Sequence, residues 1–361
     1  MPKSSALSPQ RERLAVLDVA KGFCMLFVVF AHVNYTPILL KLIYSFHMPL
    51  FFILAGVVYR REKYPSLGTF LRRRWQNLIL PYLTFSVVSI VYVFLSEKIF
   101  PYTADLSKDD YWKAFAQIFL AQGSTPVLNT PLWFVPCLLT VEILYYQISL
   151  HKLPVVIPVC ITLMSLGWLL ESGKLPFDNT RLPWTLDSAL FALGFYASGN
   201  ILAPWIKKSI EVIQSHPKKV LLCLNVIVGC LIFWLPLTLI NGKVSLGSRV
   251  LNNGVLFYLT GMLGTAVILA ISILLEKSRV LLFLGKNTFC IMSVHYMIRK
   301  YTLPKYYSML GIEKYKSKSL KETILPFLIV LVLTIFITLV YIWIVHKMQK
   351  HREACKVNTK A

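Results

Sequence analysis

Long apolar runs, separated by short polar and mostly basic segments, fill this chain from end to end. About 20 apolar residues cross the hydrocarbon core of a bilayer. Ten runs approach or reach that length, near 14–34, 37–59, 78–96, 131–150, 153–170, 183–205, 219–240, 253–275, 280–298 and 323–346. The pattern predicts an all-α polytopic membrane protein with about ten transmembrane helices. Between the third and fourth runs, "DDYWKAFAQIFLA" has an Asp-rich start and apolar residues at helical spacing. It predicts an amphipathic helix lying in the interface. No internal repeat appears, and no linker separates a second domain.

Lysine and arginine near the ends of the runs set the orientation. With the N-terminus inside, the cytoplasmic segments are "RREKYPSLGTFLRRRWQN", "HK", "IKKSIEVIQSHPKK", "EKSR" and the tail "HKMQKHREACKVNTKA", all basic. The outer loops 97–130, 171–182 and 241–252 carry fewer positive charges per residue. The loop 299–322 is strongly basic yet falls outside, which implies an anionic contact there or a count off by one span. The chain then divides into a cytoplasmic segment 1–13, a membrane domain 14–346 and a basic cytoplasmic tail 347–361. The start "MPKSSALSPQRER" is polar, and no small-residue cleavage site follows a short apolar core. The first run is therefore expected to remain as a transmembrane helix of a multi-pass cell-membrane protein with both termini cytoplasmic.

Composition agrees. Apolar residues make up 56% and charged residues 15% of 361, against roughly 45–50% and 25% in soluble domains. The net charge of +22, from 38 basic and 16 acidic residues, sits in the loops. No nucleic-acid motif accompanies it, so nucleic acid is excluded as a partner. Basic loops of this kind suit anionic membrane lipids or a phosphorylated cosubstrate. Seven cysteines are scattered without a CxxC spacing, so neither a zinc site nor a disulfide framework is indicated, and no metal is expected.

The informative residues are ionisable groups inside apolar runs, which are costly there and mark function. "VLDVAKGFCMLFVVFAHV" holds Asp18, Lys21 and His32. At about 100° per residue, Lys21 and His32 lie within roughly 60° of Asp18 on one helix face, along about 21 Å of axis. The bland alternative is an Asp18–Lys21 ion pair at the membrane edge and an ordinary histidine at the outer end. The second run adds Tyr44 and His47 before Pro49, and a proline in a span is tolerated beside a buried cavity. Arg72, Arg73 and Arg74 precede the third run, as topology anchors or as a phosphate clamp. "PLWFVPCLLTVEILYY" has Trp133 at an interface and Glu142 within the span, and "GKNTFCIMSVHYM" places His295 in another. There is no GxSxG, HExxH or P-loop sequence.

Taken together, these stretches resemble the acyltransferase 3 family of integral membrane acyltransferases, in particular its fucose-4-O-acetylase-like branch. Lys21 and His32 fit the family's basic residue, ten residues, then His, with Lys where Arg is usual. "SFHMPLFFILAG" matches its "SFHMPLFFxxSG", with Ala55 at the usual Ser. Arg72, Arg74, Pro81 and Tyr82 match its basic approach to the third span. "LWFVPCLLTVE" and "GKNTFCIMSVH" match two later stretches. The resemblance implies ten or so helices around a central polar cavity. It implies transfer of an acyl group, usually acetyl from acetyl-CoA, to a hydroxyl of a surface glycan or lipid-linked sugar. His32 is then the general base, or forms an acyl-His intermediate, with Lys21, Asp18 and His47 as its catalytic neighbours. Arg72, Arg73 and Arg74 hold the phosphates of the CoA cosubstrate. Trp133, Glu142, His295 and Tyr44 line the acceptor side. A transporter or flippase for lipid-linked sugars is the rival reading, since it too needs intramembrane polar groups.

Overall fold

The computed structural model describes residues 9–33, 36–99, 107–122, 128–171, 181–304, 307 and 320–358. Among these the architecture is all-α, the one β element being an isolated bridge between Ser245 and Val250. In chain order the helices are α1 (Pro9–Val33), α2 (Pro37–Val58), α3 (Leu67–Arg74), α4 (Leu80–Ile99), α5 (Lys108–Leu120), α6 (Phe134–Ile148) and α7 (Leu153–Glu171). They continue with α8 (Leu186–Ile201), α9 (Ala203–Ser215), α10 (Lys219–Asn241), α11 (Gly254–Leu274), α12 (Arg279–Lys286), α13 (Thr288–Met297) and α14 (Leu320–Asn358).

Among the described residues eight helices are long and apolar enough to cross a bilayer, and ten spans result if each of two bent pairs counts as one. These occupy the ten runs of the sequence, with three differences. The third span begins at Leu67 rather than 78, because α3 passes into α4 through a wide turn at Trp75–Ile79 without a break. Arg72, Arg73 and Arg74 therefore lie within a helix, where long basic side chains can reach back to the interface. The sixth span bends by 55° between α8 and α9, next to Pro204, which supplies no backbone N–H at the start of α9. The ninth bends by 82° between α12 and α13. Asn287 leaves helical geometry there, with φ −113° and ψ 22°, and its amide caps the Phe283 carbonyl at 2.7 Å.

Close helix contacts set the arrangement. A Cβ on Gly22 would overlap the Leu281 carbonyl oxygen, and one on Gly285 the Asp18 carbonyl oxygen, so α1 and α12 meet backbone to backbone. Gly56 against Tyr196 and Gly199 against Ile53 lock α2 to α8 in the same way. Small residues at such crossings let membrane helices approach, where no hydrophobic drive favours association. Two apolar clusters result. One gathers α2, α6, α8 and α11, the other gathers α4, α12, α13 and α14, and α1 contributes to both. Phe23, Phe51 and Phe134 touch both and mark the seam. Only 17% of α7, 11% of α10 and 17% of the last span are buried, against 61% of α1. Those three helices are the lipid-facing rim, and α1 is central.

The predicted amphipathic helix is α5. Ser107 and Asp110 form a reciprocal capping box at its start. Trp112, Phe115 and Phe119 make an exposed apolar stripe, while Ala114 and Ile118 face inward. Most of the strongly basic loop 299–322, most of 171–182, residues 1–8 and the end of the tail lie outside the described residues.

Candidate active site

The seam between the two apolar clusters opens into a cavity of about 250 Å³. One wall is a largely apolar stretch of α1, Met25 and Val28, ending in His32. These continue the face of Asp18 and Lys21 at intervals of three and four residues, as a helix requires. Met48 and Phe51 of α2 form a second wall. Thr130, Pro131 and Trp133, with Phe134 and Leu138 of α6, form a third. Thr288, Phe289 and Met292 close it from the start of α13, just past the 82° bend, and Asn77 and Leu78 close the side toward α3.

At one end of this cavity the structure brings His32, His295, His47 and Tyr44 together. The His32 and His295 rings lie 5.1 Å apart, and Tyr296 meets His32 edge-on at 5.4 Å. Tyr44 meets His47 edge-on at 4.9 Å. His295 is fully buried, and its Nδ1 donates to the Ile291 carbonyl at 2.8 Å. His47 does the same to Ile43, also at 2.8 Å. A carbonyl only accepts, so in the neutral ring the proton is on Nδ1 and Nε2 carries the lone pair. The buried Nε2 of His295 has no hydrogen-bond partner among the described residues. The three histidines do not form a metal cage: among the described residues no group of three or more His, Cys, Asp or Glu is placed to hold an ion.

The basic residues are not among those lining the cavity. Lys21 pairs with Asp18 at 2.7 Å, both partly exposed. His32 is eleven positions beyond Lys21, or about 16 Å of helix axis. Arg72 and Arg73 are exposed on α3. Arg74 is turned inward instead. Its Nε is 2.8 Å from a Glu142 carboxylate oxygen, in ionic contact without hydrogen-bond alignment. The Arg74 guanidinium also sits over the Tyr64 and Phe70 rings, at 5.4 and 5.2 Å. Glu142 thus joins Arg74 rather than the histidines, since it is two and a half turns along α6 from Trp133, about 13 Å.

Trp133 is braced from outside the cavity. Its indole lies against Gly247, where a Cβ would come within 2.6 Å of the ring. The Gly247 carbonyl accepts from Arg181 at 2.9 Å. Arg181 and Arg249 both reach Asp187, at 3.6 and 3.8 Å. Ser188 donates to Glu171 at 2.8 Å and to the Leu246 carbonyl at 2.9 Å. Trp184, Thr185 and Arg249 hold left-handed backbone angles around this cluster, a conformation that costs energy and needs such support.

Several polar residues of the site carry no strong signal in the linear sequence. Tyr296 meets His32 and accepts from Thr130 at 3.2 Å. Asn129 is fully buried, and its amide donates to the Ser293 carbonyl at 2.6 Å and to Ser89 at 3.0 Å. It ties the approach to α6 to the helix carrying His295. Asn77 lines the cavity three residues beyond Arg74. The available clue was adjacency: Tyr296 follows His295, and Asn129 and Thr130 precede "PLW".

A bundle of long apolar helices around a buried histidine cluster and an internal cavity defines a multi-pass membrane protein. The acyltransferase domain of the acyltransferase 3 family matches residues 14–346, nearly the whole chain, and the chain belongs to that family. It is therefore a membrane acyltransferase. No curated protein and no solved structure matches it.

Proposed function

We propose that the chain is an O-acyltransferase of the cell membrane. It moves an acyl group, acetyl in the simplest case, from cytoplasmic acyl-CoA to a hydroxyl of a surface glycan or lipid-linked sugar. The observation that carries this reading is one cavity with His32 on its wall and Asn77, three residues from Arg74, at its margin. Donor and acceptor then approach from opposite ends.

In this scheme both termini are cytoplasmic, and Arg72 and Arg73 meet the phosphates of CoA as exposed cations able to bond phosphate oxygens bidentately. His32 takes the proton of the acceptor hydroxyl, a task suited to an imidazole near neutrality. The hydroxyl oxygen bonds to the thioester carbonyl carbon, the carbon–sulfur bond breaks, and the departing thiolate receives the proton from His32. His295 and Tyr296 orient His32 and the acceptor. With about 16 Å of helix axis between it and His32, Lys21 in this reading meets the charged portion of the donor rather than the reacting carbonyl. Arg74 and Glu142 fix the helix that carries the exposed arginines.

The test uses purified protein in lipid nanodiscs with radiolabelled acetyl-CoA and an extracted surface-glycan acceptor. His32→Ala is expected to lower label transfer by roughly 10²–10⁴-fold, the usual worth of a general base. Transfer equal to the wild type overturns the assignment. No transfer by the wild type to any hydroxyl acceptor, with sugar export intact in His32→Ala, points to the transporter.

A further inference from the structure

A second and more open cavity, about 710 Å³, lies at the basic end of the bundle. It is formed where α2, α6 and α8 end and where α7 and α9 begin, and it shares no lining residue with the histidine cavity. Arg60, Arg61, His151 and Lys207 line it, against one carboxylate, Glu62. Arg61 is preset: its guanidinium is held 4.2 Å above the Tyr146 ring and donates to the Tyr64 carbonyl, while its buried Nε has no hydrogen-bond partner. The floor is rigid. Asn200 donates to the carbonyls of Gly56 and Tyr59, at 3.0 and 3.1 Å, and accepts from Tyr145 at 2.8 Å. Tyr59 and Ser149 share a hydrogen bond of 3.2 Å. The rim is apolar. Trp205 is 63% and Leu153 50% exposed, and Leu153 opens α7, one of the lipid-facing helices.

We propose that this pocket binds a phosphate-bearing ligand, an anionic phospholipid headgroup being the source its rim favours. The polar part supplies two arginines and a lysine, the side chains that best satisfy phosphate oxygens. The exposed tryptophan and leucine stand where acyl chains and the interface would meet them, since tryptophan concentrates at the headgroup level. Basic pockets on the cytoplasmic side of a bundle are suited to anionic headgroups. The site stands whether or not acyl transfer is the reaction.

The experiment titrates the full-length protein in an uncharged detergent with short-chain phosphatidylglycerol, short-chain phosphatidylcholine and coenzyme A, reading tryptophan fluorescence. Phosphatidylglycerol is expected to give a saturable change that Trp205→Phe abolishes. The Arg60→Gln, Lys207→Gln double variant should weaken it roughly tenfold or more, as loss of two charge-assisted contacts implies, and Arg60→Lys with Lys207 intact should restore it. The same response to coenzyme A alone supports the phosphate site and identifies the cosubstrate as its source. No saturable response to either probe, a response untouched by the double variant, or phosphatidylcholine binding as well as phosphatidylglycerol overturns the proposal. His32→Ala is carried alongside and should bind like the wild type, so failure of the acyl-transfer reading leaves this result standing.

Discussion

Arg74 and Glu142 show how two residues singled out separately in a sequence can turn out to be partners of each other. The sequence marks both as expensive charges near or within a span, and suggests phosphate for one and acceptor for the other. Only the fold shows that they meet, at 2.8 Å and with little exposure. Breaking a buried pair strands the remaining charge, so Glu142→Gln or Arg74→Gln alone should each destabilise the protein by about 3–5 kcal/mol. Replacing both with apolar residues of similar volume should cost less than the sum. A double-mutant cycle followed by thermal denaturation in one detergent checks this, and strict additivity would refute the pairing. Lys21 gives a second residue-level expectation. Its partner Asp18 needs only a positive charge at an i,i+3 position, and the proposed acyl-CoA donor would be met by a cation on that stripe. Lys21→Arg should therefore keep most transferase activity, while Lys21→Met should lose roughly tenfold, the worth of one charge-assisted contact. Steady-state kinetics should show the loss mainly in KM for acyl-CoA, since Lys21 is remote from His32. The α1 stripe was legible because helical geometry is local: Asp18, Lys21 and His32 fall on one face by arithmetic, and the cavity opens on that face. Tyr296 and Asn129 were not, because their partners Thr130 and Ser293 are 166 and 164 residues away.

Helices in this bundle are placed as much by missing side chains as by present ones. Gly22 and Gly285 bring the backbones of α1 and α12 into contact beside the Asp18–Lys21 pair. Gly22→Leu should force these helices apart, lower the yield of folded protein and shift the α1 stripe out of register with the cavity. Gly229 in α10 provides the contrast, because nothing lies within 4 Å of where its Cβ would be. Gly229→Ala should be neutral or stabilising by up to about 1 kcal/mol, the propensity gain of alanine over glycine in a helix. Melting temperatures of the two variants measured side by side test both statements, and a Gly229→Ala penalty as large as that of Gly22→Leu would contradict them. Outside the spans, α5 has a pH dependence of known sign. Hydrogen bonds from Ser107 hold the Asp110 carboxyl below its ordinary range. A group with a depressed folded-state pKa adds stability above its unfolded value, and that stability is lost as pH falls through the folded value. Amide exchange at the start of α5, corrected for intrinsic rates, should therefore speed up on acidification below about pH 4, the ordinary range of an aspartate. Ser107→Ala should flatten the effect. A capping box is readable from sequence because its residues are neighbours. The 55° and 82° bends were not, because hydropathy sums over a window and has no direction.

Those two bends decide the topology of the whole molecule. Eight spans are continuous, and the pairs α8–α9 and α12–α13 cross fully, cross in part, or turn back. If both cross, there are ten spans and the termini share a side; if one turns back, there are nine and the termini are opposed. Charge favours the first case: the N-terminal segment, the loops following α2 and α9, and the C-terminal tail are all basic, as cytoplasmic segments are. The chemistry favours it too. With ten spans the arginines of α3 and the pocket of Arg60, Arg61 and Lys207 lie on the side where CoA is made, and the histidine cluster lies toward the opposite end. A nine-span arrangement with α12–α13 re-entrant would still leave the cavity lined by Thr288 and Met292, since irregular backbone at membrane depth is tolerated where protein or a cavity covers it. It would place the C-terminal tail outside and the basic loop 299–322 inside, exchanging one conflict with the charge rule for another in the basic tail. The two arrangements are separated by fusing a reporter that is active on one side only to residue 361 and to residue 313, in full-length protein that still transfers acyl groups. Ten spans predict a cytoplasmic signal at 361 and an external one at 313. The reverse pair of signals would make one of the two bent pairs re-entrant, and a third fusion at residue 217, cytoplasmic if α8–α9 crosses, would assign it to α12–α13. His295 would then be carried into the membrane from the cytoplasmic side, and His32 of α1 would face a hairpin bent at Asn287.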